Sequence, residues 1–138
     1  MAGELNERNR MIIEEFRAND GVVGGMFEGT PIVLLHTIGA KSGNERINPL
    51  AALDEDGRLF VFASYAGAER NPDWYFNALA HPDVTVEFGT ERFEATATVL
   101  DRAERDAIFA KQAALLPNFA AYQEKTTRVI PVVELVRS

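Results

Sequence analysis

The sequence contains no cysteine among its 138 residues. This absence excludes disulfide bonds, a catalytic thiolate and cysteine-ligated zinc, and it is compatible with a reducing cytoplasm. Only two histidines are present, His36 and His81, and no metal-ligand spacing relates them. A zinc or iron centre would depend mainly on carboxylates, so we predict no metal site.

Positive charge is also scarce, because 14 lysines and arginines face 21 aspartates and glutamates and leave a formal net charge of −7. A nucleic-acid-binding protein normally presents a basic face, so this class is disfavoured. No apolar run approaches the length of a membrane span, and the N-terminus lacks the apolar core of a signal peptide. We expect a soluble cytoplasmic protein, while a peripheral membrane contact by the N-terminal segment stays open.

An N-terminal helix is predicted over residues 4–19. Its apolar side chains recur roughly on one stripe, which is typical of a helix that packs on a core: Leu5, Met11, Ile12 and Phe16. Four glycines follow within residues 21–29, and they indicate a flexible connection or a ligand-facing loop.

Six short segments rich in β-branched and aromatic residues are predicted to be strands: residues 32–37, 46–53, 59–63, 84–88, 92–100 and 130–136. Asp56-Gly57 predicts a tight hairpin between the second and third strands. Helices are predicted over residues 71–80, 102–115 and 118–125, the first with Asn71 as its N-cap and Pro72 at its first position.

Paired strands without regular βαβ alternation favour an antiparallel barrel decorated by helices over a doubly wound sheet. We therefore predict an α+β protein with a single domain over residues 1–138. In this prediction the N-terminal helix falls within residues 1–20, and the barrel with its helices occupies residues 30–138.

The loop between the first two predicted strands is the best candidate for an anion site. Glycines at its two ends let the chain turn and expose successive backbone N–H groups, while Lys41, Ser42 and Arg46 add two cations and a hydroxyl donor. The loop is not a P-loop, because Lys41-Ser42 precedes Gly43 and a strand rather than a helix follows. A solvated hairpin tip is the alternative interpretation.

Three stretches together carry a family resemblance: LLHTIGAKSGNERINPL, FVFASYAGAERNPDWYFNALAHPDVTVEFG and YQEKTTRVIPVVEL. Their order, spacing and residue identities resemble those of the deazaflavin-dependent nitroreductase family, also described as F420H2-dependent quinone reductases. The resemblance covers nearly the whole chain from Thr30 onward. Its most specific part is the segment Asn-Pro-x-Trp-Tyr-x-Asn, followed by Pro-Asp-Val-Thr-Val-Glu.

This resemblance implies a split β-barrel of about six antiparallel strands with flanking helices, related to the flavin reductase and pyridoxamine-phosphate oxidase barrels. It also implies coenzyme F420, a 5-deazaflavin with a phosphate and an oligoglutamate tail. The residues implied at the cofactor are Lys41, Ser42 and Gly43 for the phosphate with Arg46 nearby, Ala63, Ser64 and Gly67 along the deazaflavin, and Asn71, Trp74 and Asn77 around the ring pocket.

The implied activity is hydride transfer from reduced F420 to a quinone-like or nitroaromatic acceptor. Ser64 is a candidate donor to a ring carbonyl, and Tyr65 and Tyr122 are candidate donors to the acceptor oxygen that gains negative charge. The chain departs from the family at Ala40, where Arg is frequent, and at Tyr65-Ala66, where a Lys-Gly or similar pair is frequent.

Two alternatives stay open at this point, an FMN-dependent reductase on the same barrel and a non-catalytic barrel that binds a small ligand. The oligomeric state also stays open; split barrels of this type often pair, which favours a homodimer, but the strands alone do not show one.

Overall fold

The structure, a computed structural model, describes residues 2–24 and 29–138, with side chains from residue 7 onward. Part of the glycine-rich connection predicted in residues 21–29 lies outside the described residues, as does the side chain of Leu5.

The described chain folds into helices and strands in the predicted order, and each boundary lies within two residues of the expected one. The elements are α1 Ala2–Ala18, β1 Ile32–Ile38, β2 Glu45–Glu55, β3 Arg58–Phe62, α2 Asp73–Ala80, β4 Asp83–Phe88, β5 Glu91–Val99, α3 Arg102–Leu115, α4 Asn118–Lys125 and β6 Val132–Arg137, with a short 3₁₀ turn at Tyr65–Gly67 between β3 and α2.

The six strands close into a barrel in the order β1-β2-β3-β6-β5-β4. Every neighbouring pair is antiparallel, including the closing pair β1 and β4. The predicted antiparallel barrel with flanking helices is therefore confirmed. Between β2 and β3 the chain reverses at Asp56 (φ 53°) and Gly57 (φ 87°), so the Asp-Gly signal did mark a two-residue turn with positive φ.

Strand β1 is buried on both of its faces. Val33 and Leu35 point into the barrel interior, whereas Ile32 and Leu34 pack outward in a cluster with Phe16 of α1. Since successive strand residues alternate between faces, a strand covered on both sides has to be apolar at nearly every position. This explains the continuous apolar run at the start of β1.

Helix α1 covers the outside of the barrel with Ile12, Ile13 and Phe16. Met11, predicted on the buried stripe, is instead 64% exposed. The prediction was wrong there because adjacent helical residues lie about 100° apart, so the face centred between Ile12 and Phe16 includes Ile13 and turns Met11 towards solvent.

A charged contact also joins α1 to the barrel. The imidazole Nε2 of His36 lies 2.6 Å from Glu87 Oε2, and Arg17 donates to both carboxylate oxygens of Glu87 at 2.7 and 3.2 Å. His36 is buried, as expected for a hydrogen-bonded wall residue. The Arg17 hydrogen bond, opposed by burial and aided by His36, lowers the pKa of Glu87 to about 2.

This carboxylate makes stability depend on pH in a defined direction. A lowered pKa means that the folded state favours ionised Glu87, so its contribution is present at neutral pH and is lost as pH falls through the unfolded value towards 2. We expect Glu87→Gln to lower the free energy of unfolding by about 1–2 kcal/mol at pH 7, a size reduced by the solvent around half-exposed Arg17. Urea unfolding of both proteins from pH 7 to pH 3 measures the difference.

The difference between wild type and Glu87→Gln should shrink steadily below pH 5, because Glu87 is then protonated in the unfolded wild-type chain while it stays ionised in the folded protein, and this proton uptake stabilises the unfolded state. Glu91→Gln, which removes a carboxylate from an exposed pair with Arg137, is the matched control and should have little effect at any pH. A Glu87→Gln deficit that stays constant from pH 7 to pH 3 would contradict the ion-pair interpretation.

Candidate functional site

The loop of residues 39–44 between β1 and β2 is held in a tight conformation by its own hydrogen bonds. Gly39 N donates to Asn44 O at 2.8 Å, Gly43 N donates to Gly39 O at 2.9 Å, and Asn44 N donates to Ser42 Oγ at 3.2 Å. Gly43 adopts a φ of 72°, which glycine tolerates without strain. A Cβ at Gly39 would lie 2.4 Å from Ser42 Oγ, so the seryl side chain folds back into space that only glycine leaves free.

Helix α2 fixes this loop from outside through Asn77. The Asn77 side chain accepts a hydrogen bond from Ala40 N at 2.9 Å and donates to Thr37 Oγ1 at 3.4 Å. Asn77 is almost fully buried, so both bonds are shielded from water. Asn77 therefore acts on the loop as a scaffold as well as lining the adjacent space.

Several donors of the loop remain available after these internal bonds are counted. Within the described residues, the backbone N–H groups of Lys41 and Ser42 have no acceptor, and Ser42 Oγ is used as an acceptor only. Lys41 and Arg46 form no ion pair with any carboxylate of the described residues, whereas Arg70 pairs with Asp73 at 2.9 Å. Two free amides, a hydroxyl and two unpaired cations fit a phosphate.

The loop opens onto a cavity of about 1070 Å³. Helices α1 and α2, the first residues of β2 and Arg70 supply the rest of its wall. The lining residues are Asn9, Arg10, Ile13, Gly39, Ala40, Lys41, Ser42, Glu45, Arg46, Ile47, Asn48, Arg70, Asp73, Trp74, Phe76 and Asn77. Its size is that of a cofactor or drug-sized ligand site. Five of the predicted site residues meet here: Lys41, Ser42, Arg46, Trp74 and Asn77.

Trp74 has two roles in this arrangement. Its side chain is only 4% exposed and belongs to the apolar cluster that fills the barrel, together with Val33 and Val61. It also contributes to the cavity wall. The core-packing interpretation and the pocket interpretation are thus compatible for this residue.

A second group of predicted residues lies around the turn 64–68, which joins β3 to α2. Tyr65 (φ 46°) and Ala66 (φ 52°) both adopt the left-handed conformation, which costs about 1–2 kcal/mol for each non-glycine residue. Gly67 (φ 82°) is packed so closely against α4 that a Cβ there would lie 2.9 Å from Tyr122 O. Strained backbone of this kind persists only where surrounding contacts hold it.

Arg128, in the segment between α4 and β6, supplies such contacts. Its guanidinium donates to the carbonyl oxygens of Ala63 at 3.1 Å, Ser64 at 2.9 Å and Ala68 at 2.8 Å, and to Asn71 Oδ1 at 2.6 Å. Sequence reasoning did not identify Arg128 as a site residue, because its acceptors lie 57 to 65 positions away along the chain.

The prediction that Asn71 caps α2 was wrong. The helix begins at Asp73, and Pro72 occupies the N-cap position with no side-chain cap. The Asn71 carboxamide oxygen accepts from Arg128 instead, and a charge-assisted hydrogen bond is stronger than the bond of an ordinary cap.

The remaining predicted residues are not part of the cavity wall. Ala63 is fully buried in the barrel, and its N–H and C=O are both occupied, by Pro131 O and by Arg128. Tyr65 is 46% exposed, and the hydroxyl of half-buried Tyr122 accepts from Asn118 Nδ2 at 3.0 Å. Ser64, Tyr65, Gly67 and Tyr122 thus form a second cluster, at which the turn 64–68 packs on α4.

No helix within residues 2–24 and 29–138 is both long and apolar enough to cross a membrane.

The closed antiparallel barrel with a large cavity at one loop places the protein among the split β-barrels. The fold is similar to that of a putative pyridoxamine 5'-phosphate oxidase from Listeria innocua, with a TM-score of 0.57 at 11% identity over 78% of this chain and 83% of that one. The predicted relation to the pyridoxamine-phosphate oxidase barrels is therefore confirmed for the fold.

The chain belongs to the F420H(2)-dependent quinone reductase family, whose model matches residues 8–136. It is 35% identical over 126 residues to the F420H(2)-dependent quinone reductase Rv1261c of Mycobacterium tuberculosis, covering 88% of this chain and 85% of that protein. The protein is thus an F420H2-dependent reductase with coenzyme F420 as its cofactor, and the resemblance read from the sequence is confirmed. FMN use and a non-catalytic barrel are not favoured.

Two solved structures are also similar. One, described as an F420-H2 dependent reductase, is 40% identical with a TM-score of 0.70 and covers 76% of this chain and 93% of its own. The other, described as a domain-swapped dimer, is 37% identical with a TM-score of 0.71 and covers 97% of this chain and 98% of its own.

The packing of the turn 64–68 on α4 can be tested at Gly67. We expect Gly67→Ala to lower the free energy of unfolding by about 3 kcal/mol or more, because it adds a clash with backbone to the cost of a left-handed alanine. Gly57→Ala is the matched control, since Gly57 has a similar φ of 87° but no atom within 4 Å of the added methyl.

Gly57→Ala should therefore cost only about 1–2 kcal/mol, the price of the backbone conformation alone. Chemical denaturation of the two variants gives both numbers. Equal destabilisation of the two would show that α4 does not press on the turn.

Proposed function

We propose that the loop of residues 39–44 binds the phosphate of F420. The observation that supports this proposal is a set of groups at the cavity that have no partner. They are the N–H groups of Lys41 and Ser42, the Ser42 hydroxyl as a donor, and the side-chain cations of Lys41 and Arg46. Gly43 serves this site through its positive φ, which lets the loop turn back into β2.

The residues of α2 in the cavity wall would hold the deazaflavin ring. Trp74 and Asn77 border the ring, and Asn71 and Ala63 support the neighbouring backbone through Arg128. Ser64, outside the cavity wall at the turn 64–68, would donate to a ring carbonyl, and Gly67 allows this turn to pack closely on α4. When bound, F420H2 supplies the hydride; the chain's own residues hold the ring, exclude water and donate hydrogen bonds.

The hydride acceptor that we propose is a quinone. The named quinone reductase relative supports it, and so does the exposed aromatic ring of Phe76, 44% accessible at the cavity. Tyr65 and Tyr122 are the candidate donors to the quinone oxygen that becomes negative as hydride arrives. A nitroaromatic acceptor would use the same donors.

We further infer that the protein is a homodimer. A similar chain, 37% identical to this one, is described as a domain-swapped dimer. Light scattering on the purified protein should give twice the 15.3 kDa of one chain at micromolar concentration. A mass of one chain under these conditions would contradict the inference.

The phosphate assignment predicts a specific effect of Lys41→Ala. A phosphate anchor binds ground state and transition state equally, so the Kd for F420 should rise about 10- to 100-fold while turnover at saturating F420H2 changes little. Fluorescence titration with F420 gives the Kd, and steady-state reduction of a soluble quinone gives the turnover number.

Lys111→Ala is the matched control, since it removes the same charge from a lysine paired with Glu55 away from the cavity. Its F420 affinity should stay within about twofold of wild type, as expected for an exposed ion pair. A parallel titration with FMN should show weaker binding than F420. Unchanged affinity in Lys41→Ala would remove the loop from the cofactor site.

A further inference from the structure

We propose that Arg128 is a positioning residue for hydride transfer: it holds the turn 64–68 in the one conformation that presents Ser64 and Tyr65 to the reacting groups. The proposal rests on the roles given above to these two residues. Arg128 itself is not among the residues that line the cavity and acts through the backbone of the turn.

The geometry around Arg128 is that of a hub. Its four acceptors all come from residues 63–71, the segment that leads from the end of β3 to the start of α2. A planar guanidinium with five N–H donors is the side chain that can serve four convergent oxygens at once, and a lysine ammonium has only three donors. The contacts are half-buried, and burial lowers the pKa of Arg128 while Glu69 opposes the shift.

These bonds fix the direction of particular peptide groups. In a trans peptide the C=O and the following N–H point in opposite directions, so a bond to Ala63 O sets the direction of the Ser64 N–H, and a bond to Ser64 O sets that of the Tyr65 N–H. Because both carbonyls point towards Arg128, both N–H groups point away from it.

The same bonds offset the strain in the turn. Two consecutive non-glycine residues, Tyr65 and Ala66, hold positive φ values, which is an unfavourable conformation for L-residues. Charge-assisted hydrogen bonds from Arg128 offset this strain, because they are stronger than hydrogen bonds between neutral groups. The turn also has two backbone hydrogen bonds of its own, from Gly67 N to Ser64 O at 2.9 Å and from Ala68 N to Tyr65 O at 3.0 Å. We expect loss of Arg128 to loosen the turn and the orientation of Ser64 and Tyr65 without unfolding it.

The phosphate loop is held independently of this hub. Its anchor is Asn77 in the middle of α2, bonded to Ala40 and Thr37. Loss of Arg128 should therefore impair presentation of Ser64 and Tyr65 while leaving the phosphate contacts in place. This separation gives the proposal a signature that general destabilisation would not produce.

The test compares Arg128→Met and Arg128→Lys with Arg58→Met. Arg58 lies at the opposite end of β3, donates three bonds to Glu104 and Glu134, and is outside the cavity, so its loss costs stability without touching the turn. Hydrogen–deuterium exchange on the ligand-free proteins reports the turn directly. Single-turnover reduction of a soluble quinone at saturating F420H2, and F420 titration, report function.

We expect both Arg128 variants to exchange the amides of residues 64–68 at least tenfold faster, with residues 39–44 unchanged. The single-turnover rate should fall at least tenfold in Arg128→Met and less in Arg128→Lys, while the Kd for F420 stays within threefold. Arg58→Met should leave the exchange in residues 64–68, the rate and the Kd at wild-type values.

An Arg128 variant with wild-type exchange in residues 64–68, or with a wild-type single-turnover rate, would overturn the proposal. So would an equal loss of rate in Arg58→Met, because the effect would then be one of stability. If Arg128→Met fails to fold, Arg128→Lys carries the same criteria. Failure of the phosphate assignment would be seen separately, as an unchanged Kd in Lys41→Ala.

Discussion

Burial of β1 on both faces is the constraint on which the rest of the structure depends. One face of the strand fills the barrel and the other packs under α1, while β2 and β4 bond to its two edges. A strand with both faces and both edges satisfied has no freedom of register, because a slip of one residue would exchange its two apolar faces and break both ladders. The position of the loop that follows β1 is therefore fixed relative to the barrel.

Helix α2 connects the two halves of the site. At its C-terminal side Asn77 binds the backbone of Ala40, and just before its first turn Asn71 is held by Arg128. Trp74, between these positions, inserts into the barrel and ties the helix to the core. The loop of residues 39–44 and the turn 64–68 are thus set relative to one another by one short helix with three anchors.

Local sequence signals were sufficient for most of the fold. The Asp56-Gly57 turn and the six strands depend mainly on neighbouring residues, and each was predicted correctly. Asn71 shows the limit of such signals, since an asparagine before a proline has ordinary capping chemistry until a distant arginine competes for its oxygen.

The site could be predicted only in part for the same reason. Lys41, Ser42 and Arg46 stand together in the sequence and were found together in the cavity. Arg128 is separated from its acceptors by more than fifty residues, and its side chain reaches them only because the barrel pairs β3 with β6. A long-range hydrogen-bond hub leaves no spacing pattern for a single sequence to reveal.

This chain has Ala40 where arginine is frequent in the family. It is the backbone N–H of Ala40, not its side chain, that is bonded to Asn77, so the loop keeps its conformation with alanine at this position. The phosphate contacts proposed for Lys41, Ser42 and Arg46 do not involve the Ala40 side chain either. What an arginine there would add is a further exposed cation, and the nearby Arg10 and Arg70 are each already paired with a carboxylate. We infer that the substitution weakens the electrostatic attraction for the oligoglutamate tail, in a protein whose net charge of −7 already repels it, and leaves the grip on the phosphate intact.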